Sequence, residues 1–136
     1  MRILGISPYH DSSVAVYSEA GLEFYCKEER LTRKKRQPYP LKSFELAIAT
    51  VGPIDLVVIA APGIAPKNIG PVKKHIADLL DCPIIEMSDT HHLQHASLAF
   101  YNSGFNEALV FVCDRNGSYF EEDYAREGET VFTASY

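Results

Sequence analysis

The stretch Leu56-Val57-Val58-Ile59-Ala60-Ala61 decides the fold of this 136-residue chain. Six consecutive apolar residues, half of them β-branched, predict a strand that is buried on both faces, as in a parallel sheet. Before this run, residues 41 to 51 are mostly apolar and are stopped by Gly52-Pro53. They predict a helix that begins only after Pro38 and Pro40, because those two prolines block helix formation.

Three short strands are predicted upstream, at residues 2 to 7, 13 to 17 and 22 to 27. Polar loops separate them, so they should pair as an antiparallel meander. Downstream, residues 72 to 80 have helical spacing and residues 83 to 87 form a short apolar run. The alternation of helix and strand predicts parallel pairing in this second part.

The remaining elements are a third helix and the start of a new set of strands. The helix has Ser88 or Asp89 as its expected N-cap and runs to about Tyr101, and a strand follows at residues 109 to 113. A meander followed by parallel strand–helix units is the layout of a ribonuclease-H-like, or actin-like ATPase, half domain. We therefore predict an α/β fold, with a first subdomain at residues 1–106 and the first strands of an incomplete second subdomain at 107–136.

Composition narrows the class of protein. The hydrophobic fraction of 46% fits a packed core, and the net charge of −5 argues against a dedicated nucleic-acid binder. The start of the chain lacks a signal-peptide pattern, and no apolar run reaches the ~20 residues that a membrane span needs. Three cysteines without ligand or redox spacing, expected to be reduced and largely buried, favour a cytoplasmic protein: Cys26, Cys82 and Cys113.

The histidine-rich helix carries the clearest chemical signal. His91 and His95 are four residues apart, which places both imidazoles on one helix face, and Asp114 follows the apolar strand. Imidazole and carboxylate ligands suit Fe, Mn or Zn better than Ca. The alternatives are an ordinary surface pair of histidines, or a competing pair of His92 with His95. His92 itself is expected to be a surface or outer-sphere residue.

The stretch from Lys27 to Arg36 concentrates positive charge, with six Lys or Arg residues in ten positions. On composition alone it predicts a solvated loop. The alternative is a site for a small anionic substrate, since clustered cations beside a cleft attract phosphate.

Four motifs, in this order along the chain, resemble the O-carbamoyltransferase family, which includes the nodulation-factor, cephamycin and tobramycin carbamoyltransferases. They are Gly5-Ile6-Ser7, Tyr9-His10-Asp11-Ser12-Ser13, Glu28-Glu29-Arg30-Leu31-Thr32-Arg33-Lys34-Lys35 and His91-His92-Leu93-Gln94-His95-Ala96. The resemblance covers nearly the whole chain, but family members are several times longer. It implies an actin-like domain related to the tRNA threonylcarbamoyladenosine synthase subunit.

The resemblance also implies an activity. In this family carbamoyl phosphate and ATP form carbamoyl adenylate in a separate domain, and the carbamoyl group then passes to a hydroxyl-bearing small-molecule acceptor at a metal-containing actin-like site. Fe(II) is the expected metal, with Mn or Zn as alternatives, and ATP is a co-substrate. The family pattern implies the following roles: His91, His95 and Asp114 as metal ligands, His10 and Lys35 as catalytic residues, Asp11, Arg33 and Lys34 in substrate binding, and Gly117 in nucleotide binding.

One motif departs from the family. The usual Asp-Gly-x-Gly-Glu turn reads Asp114-Arg115-Asn116-Gly117-Ser118 here, so the first glycine and the glutamate are absent. An arginine in place of that glycine would obstruct a nucleotide or contact its phosphate.

Three of the candidate residues also have a non-catalytic interpretation. His10 would form a hydrogen bond within its own turn, Lys35 would be a solvated charge, and His75 would be a structural residue.

Two other functions compete with the transferase hypothesis. A stand-alone half domain would act as a binding module, forming a homodimer or pairing with the missing remainder of the polypeptide, because a lone half exposes an apolar face. A sugar kinase or phosphatase of the same fold ranks last, because the glycine-rich phosphate turn of those proteins is missing.

Overall fold

The fold was analysed in a computed structural model, which describes residues 1–61, 66–114, 117–120 and 125–136. The chain divides into two compact units, Met1–Met87 and Ser88–Tyr136. The first unit contains β1 (Ile3–Ser7), β2 (Ser13–Ser18), β3 (Gly21–Lys27), α1 (Glu28–Thr32), α2 (Leu41–Val51), β4 (Leu56–Ala60), α3 (Pro66–Leu79) and β5 (Ile84–Met87). The second contains α4 (His91–Ser103), β6 (Glu107–Cys113), β7 (Tyr119–Phe120), β8 (Ala125–Arg126) and β9 (Glu129–Ser135).

The first unit is built on a five-stranded sheet with the order β3-β2-β1-β4-β5. β1, β2 and β3 pair antiparallel, whereas β4 pairs parallel with both β1 and β5. The parallel pairs are joined through helices α2 and α3, as parallel connections require. This topology confirms the predicted class: the protein has an α/β, ribonuclease-H-like fold.

The core of this unit lies on one face of the sheet. Alternate residues of β1, β2 and β4 are buried, except Ser18 at the end of β2, and residues from α2 and α3 belong to the same apolar cluster. The expectation that β4 is buried on both faces is wrong, because its burial alternates and Leu56, Val58 and Ala60 are only half-buried. The largest fully buried apolar side chains are Leu4, Ile6, Val14, Val16, Phe44, Val57, Ile59, Ile69 and Ile76.

The structure adds a short helix that the sequence did not predict. Part of the basic stretch, expected as a loop, forms α1, which begins directly after β3. Its first residue, Glu28, is only 2% exposed. The Glu28 carboxylate accepts hydrogen bonds from the Ser43 amide and hydroxyl, both at 2.8 Å, and from the Lys42 amide at 3.2 Å. It therefore caps α2, whose own N-cap Pro40 offers no side-chain bond.

The second unit combines α4 with an antiparallel pair, β6 and β9. Because α4 packs on both strands, it groups with residues 88–136, whereas the sequence prediction placed the division after residue 106. Buried residues of α4 are His92, Ala96 and Phe100.

The N-cap of α4 is Thr90 and not Ser88 or Asp89, and it makes no side-chain capping bond. All three cysteines are free, but Cys113 is exposed and not buried, because it lies on the outer face of β6. Among the described residues, the structure contains no helix that is both long enough and apolar enough to cross a bilayer.

Replacement of Glu28 tests the capping role. We expect Glu28→Ala to lower the free energy of unfolding by about 2–3 kcal/mol, because buried amide donors at the start of α2 lose their acceptor. Chemical denaturation followed by circular dichroism measures the change. Glu19→Ala is the control, since the Glu19 side chain is 93% exposed and its removal should change stability little. Equal stability of the two variants would contradict the role.

Candidate metal centre and anion site

Helix α4 and strand β6 bring the three predicted metal ligands together. His91 Nε2 lies 2.8 Å from Asp114 Oδ2 and 3.0 Å from His95 Nε2, and His95 Nε2 lies 3.6 Å from Asp114 Oδ2. Three atoms with these separations can all lie about 2.1 Å from one point, which is the usual distance from a metal to imidazole and carboxylate ligands. They form a group suited to hold a metal ion within the described residues.

The chemistry of the three groups also fits a metal. Asp114 Oδ2 and the Nε2 atoms of His91 and His95 can each offer a lone pair. A single proton on His91 Nε2 can form a hydrogen bond with only one of the other two atoms at a time. A bound cation would satisfy all three. The side chains are 20% exposed for His91, 38% for Asp114 and 52% for His95, so an ion held here remains accessible to a substrate.

The amino end of α4 is held by residues from later in the chain. The His91 amide donates to Ser118 Oγ at 3.2 Å, and Glu127 Oε2 accepts from the amides of Ser118 at 2.8 Å and His92 at 3.5 Å. Burial alone raises the pKa of the Glu127 carboxyl, but these hydrogen bonds outweigh it and lower that pKa. An ionised carboxylate therefore stabilises the positive end of the helix that presents His91.

His92 is neither a surface residue nor part of the ligand group. It is fully buried, and its Nδ1 lies 2.7 Å from Thr130 Oγ1. Its Nε2 makes no hydrogen bond within the described residues. The expected surface position is therefore wrong, because His92 faces inward, as do Ala96 and Phe100 on the same helix.

Gly117, the predicted nucleotide contact, is enclosed by the protein itself. Its amide donates to the Glu127 carbonyl at 2.7 Å, and an added Cβ would collide with the Glu127 side chain and with His92 Nε2. Only glycine fits at this position. Its part in nucleotide binding stays a prediction, and Arg115 and Asn116 lie outside the described residues.

The remaining predicted site residues lie in the first unit. His10 and Asp11 are in the loop after β1, where His10 Nδ1 lies 2.8 Å from Asp11 Oδ2. This hydrogen bond is the main reason that the pKa of Asp11 is lowered. Because an ionised carboxylate only accepts hydrogen bonds, the tautomer of His10 that donates from Nδ1 to Asp11 has its lone pair on Nε2.

Hydrogen bonds join that loop to the end of the basic stretch. Ser12 donates to the Gln37 carbonyl through both its amide, at 3.3 Å, and its hydroxyl, at 2.7 Å, and the Tyr39 amide donates to the Pro8 carbonyl at 3.2 Å. These two segments hold all the non-glycine residues with positive φ among the described residues, namely Asp11, Arg33, Arg36 and Tyr39. Such backbone strain is typical of functional loops.

The basic stretch forms a small cavity of about 220 Å³. It is lined by Glu29, Arg30, Arg33, Lys34 and Lys35. The predicted substrate-binding residues Arg33 and Lys34 and the predicted catalytic residue Lys35 therefore share one cavity. Glu29, which the sequence reasoning did not single out, lies among them. An acidic residue inside a basic run was the signal that could have drawn attention to it.

No protein-family model matches the chain. An uncharacterised protein of Methanocaldococcus jannaschii is 31% identical over 117 residues, which are 85% of this chain and 22% of that protein. The chain thus spans about a fifth of the length of this relative. The solved structure of YeaZ from Pseudomonas aeruginosa aligns with a TM-score of 0.47 at 16% identity, over 96% of this chain and 68% of that one.

Removal of a ligand tests the metal centre. We expect the wild-type chain to bind Fe(II), Mn(II) or Zn(II) under anaerobic conditions, and His91→Ala and Asp114→Ala to weaken binding by about 100-fold or more, since loss of even an outer-sphere partner costs roughly 10–100-fold. Isothermal titration calorimetry measures the affinities. His75→Gln, a histidine of the other unit, is the control. Equal metal affinity in wild type and Asp114→Ala would exclude this ligand set.

Proposed function

We propose that this chain is the N-terminal segment of an ATP- and metal-dependent O-carbamoyltransferase. The observation that carries the proposal is the convergence of His91, His95 and Asp114 on one point. The ribonuclease-H-like topology supports it. The strained loop with His10 and the basic cavity with Lys35 support it as well. Carbamoyl adenylate, made from carbamoyl phosphate and ATP elsewhere in a longer polypeptide, is the proposed donor.

Each of these residues has its own proposed role in the transfer. His91, His95 and Asp114 would hold a divalent ion, which would supply Lewis-acid polarisation of a carbonyl group. His10 Nε2 takes the proton of the acceptor hydroxyl as its oxygen bonds to the carbamoyl carbon. The bond between that carbon and the phosphate oxygen breaks, and AMP leaves with the bonding electrons. Lys35 offsets the negative charge that grows on the departing phosphate.

Two substitutions test these roles in the polypeptide that carries this chain. We expect His10→Ala to lower kcat by about 10²–10⁴-fold, the usual contribution of a general base, and Lys35→Ala to lower it as well. The measurement is transfer of labelled carbamoyl from carbamoyl phosphate to sugar and amino-sugar acceptors, with ATP and Fe(II) under anaerobic conditions. Lys74→Ala, which removes an exposed α3 lysine paired with Asp78, is the control. No transfer by the wild-type polypeptide would contradict the proposal.

A second candidate function rests on the outer face of β6 and β9. Leu109, Phe111 and Val131 are 76%, 61% and 61% exposed, and they share this face because their register positions are adjacent. A two-stranded sheet is rarely stable without further packing. The chain would then act as an interaction module in which this apolar face covers the same face of a second copy.

Sedimentation velocity distinguishes a monomeric chain from a dimeric one. If the outer face pairs with a second copy, we expect the wild-type chain to dimerise with rising concentration and Leu109→Ser/Phe111→Ser to remain monomeric, because the substitutions remove apolar area from the interface. Leu22→Ser, an exposed leucine of β3, is the matched control. A wild-type chain that stays monomeric at high concentration would exclude the self-pairing module.

A further inference from the structure

Two of the three candidate metal ligands lie at the ends of their secondary-structure elements. His91 is the first residue of α4, and Asp114 directly follows the last residue of β6. Thr90, the N-cap of α4, makes no side-chain hydrogen bond, so the first amides of the helix need acceptors from another segment. Because the ends of such elements fray, the positions of these two ligands depend on contacts outside α4 and β6.

The carboxylate of Glu127 reaches the first of these ends. Its Oε2 accepts hydrogen bonds from the Ser118 amide at 2.8 Å and from the His92 amide at 3.5 Å. The Ser118 hydroxyl in turn accepts a hydrogen bond from the His91 amide at 3.2 Å. Glu127 therefore holds the first turn of α4 directly, through His92, and indirectly, through Ser118.

The backbone of the same segment reaches the second end. The Asp114 amide donates to the Gly128 carbonyl at 3.1 Å. The main chain of Glu127 is itself fixed, because its carbonyl accepts from the Gly117 amide at 2.7 Å and its amide donates to the Ser118 carbonyl at 3.0 Å. One short segment therefore joins the start of α4 to the end of β6.

We propose that Glu127 is a positioning residue for the metal centre, which acts by holding His91 and Asp114 at the separation that a shared ion requires. That separation is 2.8 Å between His91 Nε2 and Asp114 Oδ2. The inference rests on the metal centre of the proposed function and adds an outer-sphere residue to its ligands. Outer-sphere partners of metal ligands typically contribute about 10–100-fold to metal affinity.

Zinc affinity and the visible absorption of cobalt test this role in the full chain. We expect Glu127→Ala to weaken Zn(II) binding by about 10–100-fold, measured by isothermal titration calorimetry. We also expect the variant to change the visible absorption bands of bound Co(II), because these depend on the number and arrangement of the ligands. Glu127→Gln retains an oxygen acceptor for the two amides and should restore most of both properties. Glu107→Ala, which removes an exposed acid at the opposite end of β6, should change neither.

Ser118→Ala is a second variant, which keeps the test decisive if Glu127→Ala does not fold. The Ser118 side chain is small and buried, and its replacement removes the acceptor of the His91 amide. We expect it to weaken Zn(II) binding by about 10-fold. The double variant should lose less affinity than the product of the two single effects, because both residues act through the same helix turn.

Comparison with the stability of the metal-free chain separates positioning from a structural role. If Glu127 only stabilised the fold, Glu127→Ala would lower the midpoint of urea denaturation, but the folded variant would keep the wild-type Zn(II) affinity and Co(II) spectrum. That result would overturn the inference and leave the metal centre in place. An equal loss of affinity in Glu107→Ala, or a Glu127→Gln variant no better than Glu127→Ala, would also overturn it.

Failure of the metal centre has a different signature. A wild-type chain that binds none of the metals would overturn both the centre and the role of Glu127. Carbamoyl transfer by the longer polypeptide is measured separately, so the proposed function can hold while the assignment of Glu127 fails.

Discussion

The hydrogen bonds of the buried Glu28 carboxylate and amide hold together the segments of the first unit that carry its candidate site residues. A charge removed from water must be compensated by hydrogen bonds, and Glu28 obtains them from the start of α2. Its own amide donates to the Ser12 carbonyl at 2.9 Å. One residue thus connects the loop that carries His10, the helix that lines the basic cavity and the helix that packs on the sheet. Loss of this residue would disturb all three at once.

In the second unit, a different carboxylate accepts hydrogen bonds from the first amides of a helix. Helix α4 also begins without a capping side chain of its own, and Glu127 with Ser118 satisfies its first amides. This cap bears on the candidate metal centre, because the capped turn carries His91, whose Nε2 lies 2.8 Å from Asp114 Oδ2. In both units, therefore, a carboxylate distant in sequence fixes a helix start beside a candidate site.

The sequence predicts the strands of the sheet and the helices packed on it well, because the period-2 pattern of strands and the period-3.6 pattern of helices depend on local burial. The predicted limits of α2 match the observed helix, since Pro40 and Gly52 mark its ends. Helix α3 is harder, because Gly70 and Pro71 lie inside it and argue against a helix that begins at Pro66. The capping contacts of Glu28 and Glu127 could not be predicted, since each joins segments that only the tertiary fold brings together.

The same distinction holds for the candidate sites. The spacing of His91 and His95 is a property of one helix, so the sequence alone predicts their shared face. The burial of His92 and the position of Glu29 depend on packing against other segments, and neither follows from periodicity. The sequence therefore locates charge and ligand type, whereas the fold determines which of these side chains are buried and which are paired. In the basic cavity the fold places the Glu29 carboxylate among cations, with Lys35 Nζ 3.5 Å from its Oε2.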